Sequence, residues 1–316
     1  MSLAFVFPGQ GSQAVGMGAA LAEAFVSARM VFEEVDEALK QKLWKLMREG
    51  PEDELTLTEN AQPALMAVSL AAMRTLKGEF GVDIRVASFV AGHSLGEYSA
   101  LAAADALKLA DAARLLKLRG RAMQRAVPVG QGAMASLIGP KADLELAEAA
   151  AAAGAEAGVC EVANDNNAGN IVISGEAAAV ERAIARAKEL GARAIPLNVS
   201  APFHCRLMRP AADEMAEALA EAAIDPPRVP LVANVIARPV EEPDRIRELL
   251  VEQVTGRVRW RESVEWLAAE DGGQIDRFAE LGAGKVLTGM IKRIAPQAQA
   301  QALNTPEELE AFAKSL

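Results

Sequence analysis

The chain has 316 residues, 51% of them hydrophobic but only 4% aromatic, and a formal net charge of −10. That length holds one large domain, or a domain with an insert, around an ample core, and the acidic balance argues against nucleic acid as a partner. Two cysteines and two histidines make neither a disulfide framework nor a metal cluster, so a reducing cytoplasm is the default compartment. No apolar run is long enough to span a bilayer, and residues 1–7 are too short for a signal peptide's apolar region.

Residues 3–7 read as a first strand running into Pro8-Gly9-Gln10-Gly11-Ser12-Gln13-Ala14. The spacing imitates a dinucleotide fingerprint, but Pro8 opens the turn and helical sequence follows where a ribose-binding acid should end a second strand. The loop is better suited to bringing backbone N–H groups close to a reacting oxygen. Residues 19–49 read as helices, 51–54 as a solvated turn, and a long apolar helix runs from about 58 to 76.

The most informative stretch is 86–104. A short apolar run ends in Gly92-His93-Ser94-Leu95-Gly96, and an Ala-rich helix begins at once. G-x-S-x-G between a strand and a helix is the nucleophile elbow, which exposes the serine hydroxyl beside free N–H groups of a helix N-terminus. A serine needs a base. His93 adjoins Ser94 and should turn its ring away, which leaves His204, in Pro202-Phe203-His204-Cys205, as the candidate.

In the helix predicted over 111–127, Ala112, Leu115, Leu118, Ala122, Met123 and Ala126 form an apolar stripe. Arg119 falls inside that stripe, about 40° from Leu115 at 3.6 residues per turn. A buried guanidinium needs an anion, either an internal carboxylate or one carried by the substrate, which its fork matches bidentately. Arg114, Lys117, Arg121 and Arg125 fall outside the stripe.

From residue 132 the pattern becomes strand 133–138, helix 142–153, strand 158–163, strand 170–174, helix 176–190 and strand 192–199. That order is βαββαβ, the ferredoxin-like split unit. Ser94 precedes it and His204 follows it, so the cleft between the units is the natural substrate site. Residues 164–170 read as a hairpin loop able to reach the cleft. Helices are expected over 213–223, 243–254 and 263–269, and strands over 229–235 and 275–280. Gly282-Ala283-Gly284-Lys285 lacks the spacing of a phosphate-binding loop and reads as a β–α turn.

Phe7-Pro8-Gly9-Gln10-Gly11-Ser12-Gln13, Gly92-His93-Ser94-Leu95-Gly96-Glu97-Tyr98, Leu118-Arg119-Gly120, Pro202-Phe203-His204-Cys205 and Gly282-Ala283-Gly284-Lys285-Val286-Leu287 resemble, in this order, the malonyl-CoA:acyl carrier protein transacylases of fatty acid synthesis. The resemblance implies an α/β-hydrolase-like large domain (1–131 and 200–316) with an inserted ferredoxin-like domain (132–199). It implies Ser94 as nucleophile, His204 as base, the N–H groups of Gln10 and Leu95 as oxyanion hole, and Arg119 as the malonyl carboxylate site. Gln62 and Asn166 are expected near the substrate, and a main-chain carbonyl, that of Arg259 by position, is expected to orient His204. Phe203 should crowd a branched α-carbon and favour malonyl over methylmalonyl. The partners implied are malonyl-CoA as substrate and acyl carrier protein, met by a cytoplasmic monomer with no resident cofactor. Docking of an acidic carrier protein falls to a local basic patch drawn from Arg114, Lys117, Arg121, Arg125, Arg206, Arg209, Lys285, Lys292 and Arg293. A serine esterase or thioesterase, and a non-catalytic scaffold, are the alternatives. The first should hydrolyse and carry an acid in a triad, without need of Arg119.

Overall fold

Every residue of β1 (Leu3–Phe7) is buried, so the strand has no polar face and needs helices on both sides of its sheet. The computed structural model describes residues 2–316; position 1, where the large domain is expected to begin, lies outside the described residues. The chain is a mixed α/β protein with two sheets. Strands β1, β2 (Phe89–Gly92), β7 (Leu231–Ala233), β8 (Arg238–Val240), β9 (Arg277–Leu281) and β10 (Gln299–Leu303) form the larger, in the order β10-β9-β1-β2-β7-β8. All its neighbours are parallel except β7 and β8. The smaller is antiparallel, with β3 (Gly132–Ile138), β4 (Cys160–Asn167), β5 (Asn170–Glu176) and β6 (Arg193–Pro196) in the order β4-β5-β3-β6.

The helices before the small sheet are α1 (Ala19–Ala24), α2 (Val26–Leu39), α3 (Leu43–Glu49), α4 (Glu52–Thr56), α5 (Thr58–Phe80), α6 (Gly96–Ala103) and α7 (Leu109–Ala126). Two cover the small sheet, α8 (Leu144–Gly154) and α9 (Ala177–Glu189). After it come α10 (Arg209–Glu221), α11 (Pro243–Thr255), α12 (Trp260–Ala268), α13 (Val286–Ile294) and α14 (Pro306–Lys314). Strand alternation divides β1 between two cores. Leu3, Phe5 and Phe7 pack with Phe32 of α2, Leu65 of α5 and Leu116 of α7. Ala4 and Val6 pack with Trp260 and Val264 of α12 and Leu287 and Ile291 of α13.

The expected turn at 51–54 is instead the start of α4, whose first turn gathers Glu52, Asp53 and Glu54 where a helix N-terminus favours negative charge. The expected loop at 164–170 is also corrected. Strand β4 runs on to Asn167 and only Ala168 and Gly169 turn, because irregularities between Val162 and Asn164 and between Asp165 and Asn167 break its alternation. Asp165 ties the strand to the rest of the molecule. Asp165 accepts a bidentate pair from Arg261 of α12 at 2.7 Å, and its N–H donates to the Val258 carbonyl at 2.9 Å. These contacts fasten the small sheet to the large one along one side of the cleft. Among the described residues, no helix is long and apolar enough to cross a membrane.

Candidate active site

The site stands at the C-terminal ends of β1, β2 and β7, where an open parallel sheet presents its loops. The chain turns so tightly after β2 that a Cβ on Gly92 would lie 1.9 Å from the Gly96 carbonyl carbon, and one on Gly96 would lie 2.3 Å from the Phe7 oxygen. Only glycine fits at either end of the turn. Ser94 between them has φ 53°, the left-handed region, at a cost of about 1–3 kcal/mol for a residue with a side chain. Its surroundings hold it there. The Ser94 N–H donates to Asn234 Oδ1 at 2.8 Å, and the Ser94 carbonyl accepts from Gln253 Nε2 at 2.9 Å.

Ser94 Oγ lies 2.8 Å from His204 Nε2, and His204 Nδ1 lies 2.9 Å from the carbonyl of Gln253. The orienting group is therefore Gln253, not Arg259. Gln253 lies in the last turn of α11, where carbonyls have no helical partner and are free to accept from outside. The Arg259 carbonyl is occupied, accepting both the N–H and the Oγ–H of Ser263 at the start of α12. Burial and the Arg119 cation push His204 down to about 3. The imidazole is thus neutral, with Nδ1–H committed to the carbonyl and Nε2 open to the serine proton.

Arg119 is 1% exposed, as its place in the stripe predicts. A Cβ on Gly120 would lie 2.5 Å from Glu59 Cα, so glycine lets α7 pack directly on the start of α5 and brings Arg119 to Gln62. Its Nη1 donates to Gln62 Oε1 at 2.8 Å, and its Nη2 to Gln253 Oε1 at 2.8 Å and to Ser94 Oγ at 3.1 Å. All three acceptors are neutral. No carboxylate among the described residues forms an ion pair with it, so the internal-partner alternative for Arg119 fails. Glu97 and Tyr98 lie close enough to offset part of the burial that lowers its pKa.

A cavity of about 290 Å³ is lined by Ser94, His204, Arg119, Gln62, Asn166 and Phe203, and by Gln10 and Leu95. Among the described residues neither the Gln10 nor the Leu95 N–H has a partner within the protein. Gln62 is buried and also donates to Thr58 Oγ1 at 2.9 Å. Asn166 Oδ1 meets Nε2 of His93 at 2.9 Å, and the His93 ring lies against Trp260, turned from the hydroxyl as expected. Of the nine cations proposed for docking, five are paired: Arg114 with Asp111, Lys117 and Arg121 with Glu59, Arg125 with Glu214 and Arg206 with Glu161. Lys117 is buried rather than solvated. Arg209, Lys285, Lys292 and Arg293 are exposed and have no ion pair among the described residues.

Sequence reasoning missed Gln253. The signal was present, because Ile246, Leu249, Leu250, Gln253 and Val254 form the buried stripe of α11, and a polar residue in it raises the same question as Arg119.

A family model described as the acyl transferase domain matches residues 4–302. The malonyl CoA-acyl carrier protein transacylase of Escherichia coli (strain K12) is 46% identical over 309 residues, 98% of this chain and 97% of that protein. The solved acyl-carrier-protein-S-malonyltransferase from Bartonella henselae superimposes with a TM-score of 0.96 at 54% identity, covering 100% of this chain and 99% of that one. A malonyl-transacylase solved in complex with its type II PKS acyl-carrier protein gives 0.95 at 42% identity, covering 100% of both chains.

Proposed function

The chain belongs to the acyl transferase domain family, and from that premise we propose that it moves a malonyl group from malonyl-CoA to the phosphopantetheine thiol of an acyl carrier protein, supplying fatty acid synthesis. The observation that carries this reading is the buried Arg119 fork, which has no anionic partner among the described residues and reaches the nucleophile's oxygen. A donor whose acyl group ends in a carboxylate completes it.

His204 Nε2 takes the Ser94 proton as Oγ attacks the thioester carbonyl, and the Gln10 and Leu95 N–H groups receive the oxyanion. The C–S bond breaks, His204 returns the proton to the CoA sulfur, and malonyl-Ser94 remains. The carrier's thiol then gives its proton to His204 and attacks the ester, and Ser94 leaves as the alcohol. CoA arrives as part of the donor and phosphopantetheine on the partner, so these steps call on no resident cofactor. An acyl group without the carboxylate leaves the guanidinium unpaired, which is the basis of selection. Phe203 beside His204 narrows the space at the α-carbon.

We read the fold as an α/β-hydrolase-like domain over 1–131 and 200–316 with a ferredoxin-like insert over 132–199. The β4-β5-β3-β6 order and the separate core of the small sheet support that division. The carrier docks along α13, where Val286 and Met290 border the cavity and the exposed Lys285, Lys292 and Arg293 offer charge to an acidic partner. The enzyme acts as a cytoplasmic monomer, a setting in keeping with two free, buried cysteines. A hydrolase with a full triad would set a carboxylate against His204 Nδ1, where this chain sets the Gln253 carbonyl. Mixing the protein with malonyl-CoA and holo carrier protein tests the assignment. Malonyl-carrier forms in excess over free malonate if it holds, and malonate alone refutes it.

A further inference from the structure

Glu97 stands three residues past the nucleophile in the first turn of α6, fully buried, and the reaction steps make no use of it. Its Oε1 accepts the Asn234 N–H at 2.5 Å, and its Oε2 accepts from Gln253 Nε2. Both donors belong to residues that hold the site. The Asn234 side chain joins the two sides of the elbow, accepting from the Ser94 N–H and donating to the Gly92 carbonyl at 2.7 Å. The Gln253 amide lies between Glu97 and Arg119.

We infer that Glu97 is a positioning residue for donor selection: it sets which way the Gln253 amide faces, and through it the aim of the Arg119 fork. The inference rests on the malonyl reading of that fork. A carboxylate only accepts hydrogen bonds and a guanidinium only donates them. An amide bridging the two has one satisfying arrangement, NH₂ toward Glu97 and oxygen toward Arg119. The reversed amide would set NH₂ against the guanidinium N–H groups and strand donors in a buried site. The Gln253 main chain stays in α11 whichever way its side chain faces, so the carbonyl that orients His204 is not involved. Burial pushes Glu97 up to about 8, but each of its oxygens faces a donor, the Asn234 N–H and Gln253 Nε2, so the acceptor-only form is the one the site fits. Glu97 makes no ion pair with Arg119 among the described residues, which leaves the fork free for an incoming carboxylate.

Glu97→Gln keeps the size but supplies one acceptor and one donor where Asn234 and Gln253 require two acceptors. The test measures kcat and KM with malonyl-CoA and acetyl-CoA, and the rate at which a neutral fluorophosphonate labels Ser94. The expected result is a fall of about tenfold or more in kcat/KM for malonyl-CoA, carried mainly by KM, the effect of losing one charge-assisted hydrogen bond. Turning the amide also takes Nε2 from the Ser94 carbonyl, but the Ser94–His204 contact and the Ser94 N–H bond to Asn234 remain, so acetyl transfer and Ser94 labelling fall by no more than about threefold, well short of the malonyl loss. An unchanged malonyl-to-acetyl ratio, or equal loss in both donors and in labelling, overturns the inference. Should the single variant fail to fold, the double variant Glu97→Gln/Arg119→Ala removes the buried carboxyl group and the guanidinium together. Its donor ratio equals that of Arg119→Ala if Glu97 acts through the fork, and a different ratio overturns the inference. A wild type with no preference for malonyl would instead fail the malonyl reading itself.

Discussion

Replacing Arg119 by Ala separates a selector from a structural cation. The guanidinium is 1% exposed and its acceptors are the neutral Gln62, Gln253 and Ser94, so solvent cannot take its place. In the variant, a malonyl carboxylate entering the cavity is buried without a counter-charge, a loss of about 3–5 kcal/mol for breaking a buried pair. At 1.36 kcal/mol per decade that is about 10²- to 10⁴-fold in kcat/KM for malonyl-CoA. An acetyl donor carries no carboxylate, so its kcat/KM stays within about tenfold of wild type and the preference collapses. Initial rates of transfer to holo carrier protein with each donor measure both numbers. Equal losses with the two donors would show that Arg119 only supports the fold around Ser94, and the selection argument would fail.

Other consequences concern pH, pocket shape and docking. Because His204 falls from 6.5 unfolded to about 3 folded, the unfolded chain takes up its proton first as pH drops. Stability from this group is full above 6.5 and is lost on acidification toward 3, by up to about 1.4 kcal/mol per pH unit. Denaturant unfolding of wild type and His204→Gln between pH 6.5 and 4.5 should differ by that slope, and parallel curves would contradict the burial argument. Phe203→Ala opens the wall beside the dyad and should raise the methylmalonyl-to-malonyl ratio by about tenfold, the scale of one methyl group in an apolar pocket; equal turnover of both donors by wild type would refute the crowding argument. Reversing Lys285, Lys292 and Arg293 to Glu should raise the carrier-protein KM with little change for malonyl-CoA, and an unchanged KM would dismiss α13 as the docking edge.

The parts of this molecule legible in the sequence are those governed by short-range periodicity or by steric necessity. β1 spans the residues its apolar run predicts, and Gly92 and Gly96 mark a turn that no side chain could enter. Arg119 stood out because a charge interrupts an apolar stripe, and burial at that position follows from the 3.6-residue period. The polar run of β4 misled the same reasoning. Asp165 and Asn166 read as loop because their partners, Arg261 and His93, lie far away in the chain. The orienting carbonyl was also illegible, since which backbone oxygen meets His204 depends on where α11 ends in space. The resemblance pointed to Arg259, whose carbonyl is instead spent starting α12.

The central claim is that Ser94 carries the malonyl group between donor and carrier. Intact mass after brief mixing with malonyl-CoA, for wild type and Ser94→Ala, tests it most directly. A single malonyl adduct on wild type, mapped to Ser94, absent from the variant and discharged by holo carrier protein, is the predicted result. Rapid release of free malonate with no adduct at any mixing time would contradict it.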